Sequence, residues 1–220
     1  MKQLLALLIL LIGLPVAGSA QSISIGTRQG VGLNQLFATG NGFARDFAIN
    51  QEFNPGYMGG IVVRHMSNQT VGFQGGLLYA GKGWTQLLDN GQSFSTNLNY
   101  VEVEGLTHLQ FGKGNFKFFL QGGIFGGYAL SASDNLSDIE DHELIRYQYD
   151  IDVDNRLNFG LKGGGGFSLD SQIGLFQVNF LFGQALGSLI DTSTTTRALF
   201  TQVQTVEVGV TYLIPIISER

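Results

Sequence analysis

The stretch NFKFFLQGGIFGGYAL, residues 115–130, alternates strictly. Phe116, Phe118, Leu120, Ile124, Tyr128 and Leu130 share one parity; Lys117, Gln121, Gly123 and Gly127 fall on the other. A period of two belongs to a β-strand whose faces meet different surroundings. The pattern recurs. Val101, Val103, Leu109 and Phe111 alternate with Glu102, Glu104, His108 and Gln110. Leu157, Phe159, Leu161 and Phe167 alternate with Arg156, Asn158, Lys162 and Ser168. Val206, Val208, Val210 and Tyr212 alternate with Glu207, Gly209 and Thr211. Eight such segments are legible, at about 22–33, 56–65, 70–84, 98–111, 115–130, 153–169, 173–186 and 201–213. Helical periodicity is absent.

The direction of the apolar face follows from composition. Charged residues make up 13% of the chain, while a soluble domain carries roughly 25%. The polar parity is paved with glycines, among them Gly123, Gly127, Gly160, Gly164 and Gly166, and carries isolated charges at mid-strand. A water-facing surface would be far more charged. A barrel in lipid inverts the arrangement, with large apolar side chains outward and small or paired polar ones inward. Eight strands leave an interior just wide enough for side chains to fill.

Connections alternate in length. MSNQT, GKGN and DSQ are tight turns; residues 34–55, 85–97, 131–152 and 187–200 are long and polar. Short turns at one end and long loops at the other describe an outer-membrane barrel. The expectation is an all-β, eight-stranded antiparallel transmembrane β-barrel, an up-and-down meander with both termini on the short-turn, periplasmic side. Before it, MKQLLALLILLIGLPVAGSA has the charged start, short apolar core and small-residue end of a signal peptide, residues 1–20, leaving a barrel domain at 21–220. Candidate aromatic girdles are Phe73, Phe111, Phe116, Phe167 and Tyr212 near the short turns, and Tyr57, Tyr79 and Tyr128 toward the long loops.

The ordered pieces GVGLN (30–34), NPGYMGG (54–60), LLYAGKG (77–83), YVEVEGL (100–106), GGIFGGYAL (122–130) and VEVGVTYLI (206–214) carry a resemblance. Through them the chain resembles the PorT-like outer-membrane β-barrel family of Gram-negative bacteria. That resemblance implies location and fold more than activity: members are described as porin-like, and a few take part in protein secretion. Three features depart from the family pattern. Gly76 stands where Glu is frequent, Glu104 where Pro is frequent, and eight residues follow Tyr212 where many barrels end on an aromatic.

The lumen-facing parity holds Arg28, Arg64, Lys82, Glu102, Glu104, His108, Lys117, Arg156, Lys162 and Glu207. Buried charges require partners, so these residues are expected to form a structural ion-pair network. Arg28 is expected to pair with Glu207 across the seam between first and last strands, and Lys82 with Glu102 across adjacent strands. A narrow polar conduit is the competing use of the same residues. The region 131–154 is acidic, with Asp134, Asp138, Glu140, Asp141, Glu143, Asp150, Asp152 and Asp154. DIDVD resembles the start of a calcium loop, but Asn155 stands at its glycine position and Leu161 at its bidentate glutamate. A solvated strand extension and loop is expected there instead. Asp141-His142 near Ser137 lacks the held geometry catalysis needs, and GGGG (163–166) has no Lys-Ser/Thr after it.

No catalytic residue, metal site or cofactor is expected. The absence of cysteine excludes disulfides, thiolate metal sites and thiol catalysis. A net charge of −5 without a basic cluster argues against nucleic acid. Expected partners are outer-membrane lipid and lipopolysaccharide, with a protein partner at the long loops. The functional expectation is a structural or interaction scaffold. A narrow porin-like channel is the first alternative. A soluble exported lipocalin-like barrel, with apolar side chains inward, is the second.

Overall fold

A computed structural model of the chain describes residues 22–39, 51–136, 139, 148–189 and 200–218. The expected signal peptide and the Asp141-His142 pair lie outside the described residues. The elements are β1 (Ser22–Thr39), β2 (Gln51–Glu52), β3 (Asn54–Met66), β4 (Val71–Leu87), β5 (Ser93–Phe111), β6 (Phe116–Asp134), β7 (Leu157–Ser171), β8 (Gly174–Ala185) and β9 (Phe200–Ser218). β2 is a two-residue extension of the β3 line that pairs with β4. The eight long strands pair antiparallel with their sequence neighbours, and β9 returns to β1, so the sheet closes on itself. Closure matters in lipid, where an unpaired strand edge has no water to satisfy it.

The pairing fixes the stagger. The circuit from Ile25 runs through Val63, Gly75, Gly105, Ile124, Leu161, Gln184 and Gln204 and returns to β1 at Gln35, ten residues further along. At strand spacings of about 4.8 Å and rises of about 3.3 Å, this corresponds to a tilt of ~40°.

Alternation decides which face is which. Phe118, Phe159 and Phe180 are about half exposed, at 52%, 53% and 49%, whereas Glu102, Lys162 and Glu207 are 0%, 3% and 4% exposed. The soluble alternative with an apolar interior is thereby corrected: the apolar side chains cover the outside. Phe116, Phe118 and Phe167 form an aromatic cluster on the outer wall near the short turns, with ring centroids 5.2–5.9 Å apart.

The three tight turns fall where the sequence placed them. Asn68 Oδ1 accepts from the Thr70 and Val71 N–H groups at 2.8 and 2.7 Å, and Gly112 and Gly114 supply the positive φ of the next turn. At the other end the strands run further than expected. β4 and β5 stay paired to Leu87 and Ser93, so the predicted loop 85–97 is a hairpin closed by residues 88–92. Polar outward residues such as Asn97 and Ser95 hid this extension, because above the lipid an outward face need not be apolar.

The sixth strand begins at Leu157, and the expected strand extension at Ile151 and Val153 is instead a turn, with Val153 and Asp154 N–H both donating to Asp150 O. Two bulges adjust the ladder. Leu130 is skipped in the β5–β6 register, which turns Ala132 partly inward above it. Ile216 is skipped opposite Ile23 and Ser24, beside Pro215, which cannot donate to a ladder. β9 therefore continues well past Tyr212, to Ser218.

Candidate functional site

The inward parities converge on a belt of charge at mid-lumen. Arg28 comes from β1, Lys82 from β4, Glu102 and Glu104 from β5, Lys162 from β7 and Glu207 from β9. Lys162 Nζ donates to Glu102 Oε1 at 2.6 Å, to Glu104 Oε2 at 3.0 Å and to Glu207 Oε1 at 2.9 Å. Arg28 Nη2 donates to Glu104 Oε2 at 2.6 Å, and Lys82 Nζ donates to Glu102. Three cations thus face three carboxylates, and the belt is neutral. Phe125 adds a π face beneath both ammonium groups, 4.3 Å from Lys82 Nζ and 5.3 Å from Lys162 Nζ. Ions so far from water persist only when their charges are compensated, although Arg28 Nε and Nη1, Glu104 Oε1 and Glu207 Oε2 keep no hydrogen-bond partner among the described residues.

Glycine makes room for the belt. The cross-strand partners of Lys162 are Gly123 and Gly183. Glu104 lies opposite Gly76, where an added Cβ would sit 3.1 Å from its Cγ and Oε1. Gly76 and Glu104 are therefore coupled neighbours: the carboxylate at 104 occupies space that a side chain at 76 would contest.

Other expected members stand elsewhere. Arg28 does not pair with Glu207 across the seam, because the stagger sets Arg28 against Thr211 and Glu207 against Gly32. Its guanidinium crosses the lumen to β5 instead. The seam holds a neutral pair, Thr205 Oγ1 donating to Asn34 Oδ1 at 2.8 Å, while Asn34 Nδ2 donates to Asn54 O at 3.0 Å. Asn54 in turn reaches Thr96 O and Asn97 Oδ1 on β5. Both asparagines fall in the segment 34–55 that the sequence pattern marks as loop. Asn34 continues the inward parity of Arg28, and that signal could have found it.

His108 is no ion-pair member: Gln121 Nε2 donates to its Nδ1 at 3.1 Å, and its ring stacks on Phe119 at 4.9 Å. Arg156 lies outside the lumen, in the turn before β7, where it pairs with Asp152 at 2.8 Å. Lys117 pairs with Asp170 at 2.6 Å near the short turns. Arg64 is buried in the short-turn half, and its Nε and Nη1 have no hydrogen-bond partner among the described residues.

An apolar layer covers the loop side of the belt. Leu36, Trp84, Leu98, Tyr100, Ala129 and Val203 from the strands meet Tyr149 and Leu189 from the loops. Trp84 and Tyr149 pack edge to face, with centroids 6.5 Å apart. Tyr149 donates its hydroxyl to Asn155 O at 3.1 Å; burial and the nearby Asp154 push its pKa up to about 12, so it remains a neutral donor. The DIDVD carboxylates are engaged locally, Asp154 by the Asp150 N–H, Asp150 by the Asp152 N–H and Asp152 by Arg156.

A closed antiparallel ring with an apolar outside and a charge-filled inside defines a transmembrane β-barrel. The chain belongs to the family described as outer membrane protein beta-barrel domain, whose sequence profile matches residues 19–191. Among solved structures it is similar to the outer membrane protein OprG from Pseudomonas aeruginosa, at 11% identity over 90% of this chain and 98% of that one, TM-score 0.52. Neisserial surface protein A matches at 9% identity over 88% and 98%, TM-score 0.48. Ail, the attachment invasion locus protein of Yersinia pestis, solved with the heparin analogue sucrose octasulfate, matches at 12% over 88% and 99%, TM-score 0.43. At these identities the likeness is one of fold alone. No curated protein sequence matches the chain significantly.

Proposed function

We propose that the protein acts in the outer membrane as a sealed barrel, a structural and interaction scaffold that meets partners through its long loops. The observation that carries this reading is the filling of the lumen. A neutral belt of six ionised side chains spans it, and Trp84, Tyr100, Tyr149 and their neighbours pack over the loop side of that belt. A barrel filled in this way offers its loops and rims, rather than its bore, to other molecules. In this reading the loops face outward, both termini are periplasmic, and lipid with lipopolysaccharide contacts the outer wall. The reading is non-enzymatic, since each belt carboxylate is engaged by a cation. Export by a signal peptide at residues 1–20 and a PorT-like role beside secretion belong to the same proposal, supported by the N-terminal pattern and the ordered segments.

Planar-bilayer recording tests it. Purified protein is expected to give no stepwise conductance, and discrete openings would move the reading to a narrow porin-like channel. A photo-reactive residue at Asp134 or Gln148, on the loop side, is expected to trap a protein neighbour in intact cells that the same residue at Asn68 does not. Identical neighbours from both ends would remove the loops from the proposal.

A further inference from the structure

The short-turn mouth differs from the rest of the lumen in the sign and pairing of its charges. A cavity of about 610 Å³ lies there, lined by Arg64 of β3, Lys113 of the β5–β6 turn, Lys117 of β6 and Asp170 of β7, with Ser24 and Gln110 beside them. Lys117 and Asp170 neutralise each other. Asp170 is the only carboxylate residue lining the cavity among the described residues, so Arg64 and Lys113 are left in excess. The wall carries a surplus of two positive charges in a chain whose net charge is −5.

Arg64 is 6% exposed, and two of its three guanidinium nitrogens are buried without a hydrogen-bond partner. A buried guanidinium in that state is costly, and an anion is its natural complement. Its planar fork matches the two oxygens of a carboxylate or phosphate. The turn residues Asn68, Gln69 and Lys113 at the rim are exposed, so the cavity opens to solvent. Its volume falls within the range of small-molecule sites, roughly 300–1,000 Å³.

We propose that this vestibule binds a small oxyanion, a carboxylate or phosphate group, gripped by Arg64 and drawn in by Lys113. The charged belt is neutral and lies deeper in the barrel, so it neither competes for the anion nor lets it pass. The site is independent of the loops and of their partners.

The test is an NMR titration of the isotope-labelled protein in zwitterionic detergent micelles. Inorganic phosphate and acetate are added separately, against sodium chloride at matched ionic strength. Saturable shifts at the amides of Ser24, Arg64, Gln110 and Lys117 are expected, with affinity at least about ten-fold weaker in Arg64→Gln and partly retained in Arg64→Lys, which keeps the charge but not the fork. Saturation by phosphate alone assigns a phosphate ligand, by acetate alone a carboxylate, and by both a general oxyanion site. Shifts no larger than those of chloride with both anions, or equal affinity in Arg64→Gln, overturn the proposal. If Arg64→Gln does not fold, the wild-type Arg64 Nε–H resonance decides. Its movement with either anion supports the site, and its constancy with both overturns it.

Discussion

The two sides of the charged belt are built differently. On the loop side Trp84, Leu98, Tyr100 and Tyr149 close over it as an apolar layer, in which the Tyr100 hydroxyl is unmatched among the described residues. On the short-turn side lie Gln74, His108, Gln177 and Arg64, each with buried polar atoms that have no partner among the described residues. Gln74 and Gln177 leave both amide atoms unmatched. Buried polar groups at such density call for water or a ligand. The loop-side half is therefore dominated by an apolar layer, while the short-turn half sets unmatched polar side chains among buried apolar ones such as Met66, Leu106, Phe119, Leu175 and Leu213, and the belt divides the two. The difference teaches that filling a barrel is not one task. A packed half contributes stability through dispersion and fit, whereas a polar half holds space that solvent or a ligand can occupy.

Four tests break or sharpen that comparison. The largest loss is expected at the divide. Lys162→Met preserves volume but leaves Glu102, Glu104 and Glu207 sharing two cations, and should cost about 3–5 kcal/mol in urea unfolding of the micelle-folded protein. A loss below about 1 kcal/mol would mean that water already reaches the belt. Trp84→Ala hollows the apolar half and should cost about 3 kcal/mol by the same assay. A near-neutral result would show that the loop-side layer is not a core.

The third test concerns wiring. A double-mutant cycle of Arg28→Ala with Glu104→Ala should give a coupling of about 1–3 kcal/mol, while Arg28→Ala with Glu207→Ala should give a clearly smaller one. Equal couplings would restore the seam pair. The smallest effect is expected in the polar half. Gln74→Leu removes no protein hydrogen bond and should change stability by less than about 1 kcal/mol. A loss as large as that of Trp84→Ala would erase the distinction between the halves.

How much of this was legible in sequence depended on range. The alternation around Phe118, Phe159 and Phe180 announced both the strands and their lipid-facing side, because side-chain direction in a strand is a property of neighbouring residues. Lys82 with Glu102 was also readable, since β4 and β5 are joined by one short hairpin. The reach of Arg28 to Glu104 was not, because it crosses a lumen between residues 76 positions apart in the chain. Arg156 was misplaced for a related reason. Alternation persists through Ile151 and Val153 into a turn, where carboxylate-to-amide hydrogen bonds replace the ladder.

By itself, then, the sequence determined the inside and outside of this wall and the order in which its strands succeed one another. Tertiary structure alone decided which charges meet, where the lumen is closed by apolar packing and where it opens into a cavity. The physical reason is closure. Parity is set within a few residues, but a side chain's height and opposite number depend on the ten-residue stagger accumulated around the whole ring.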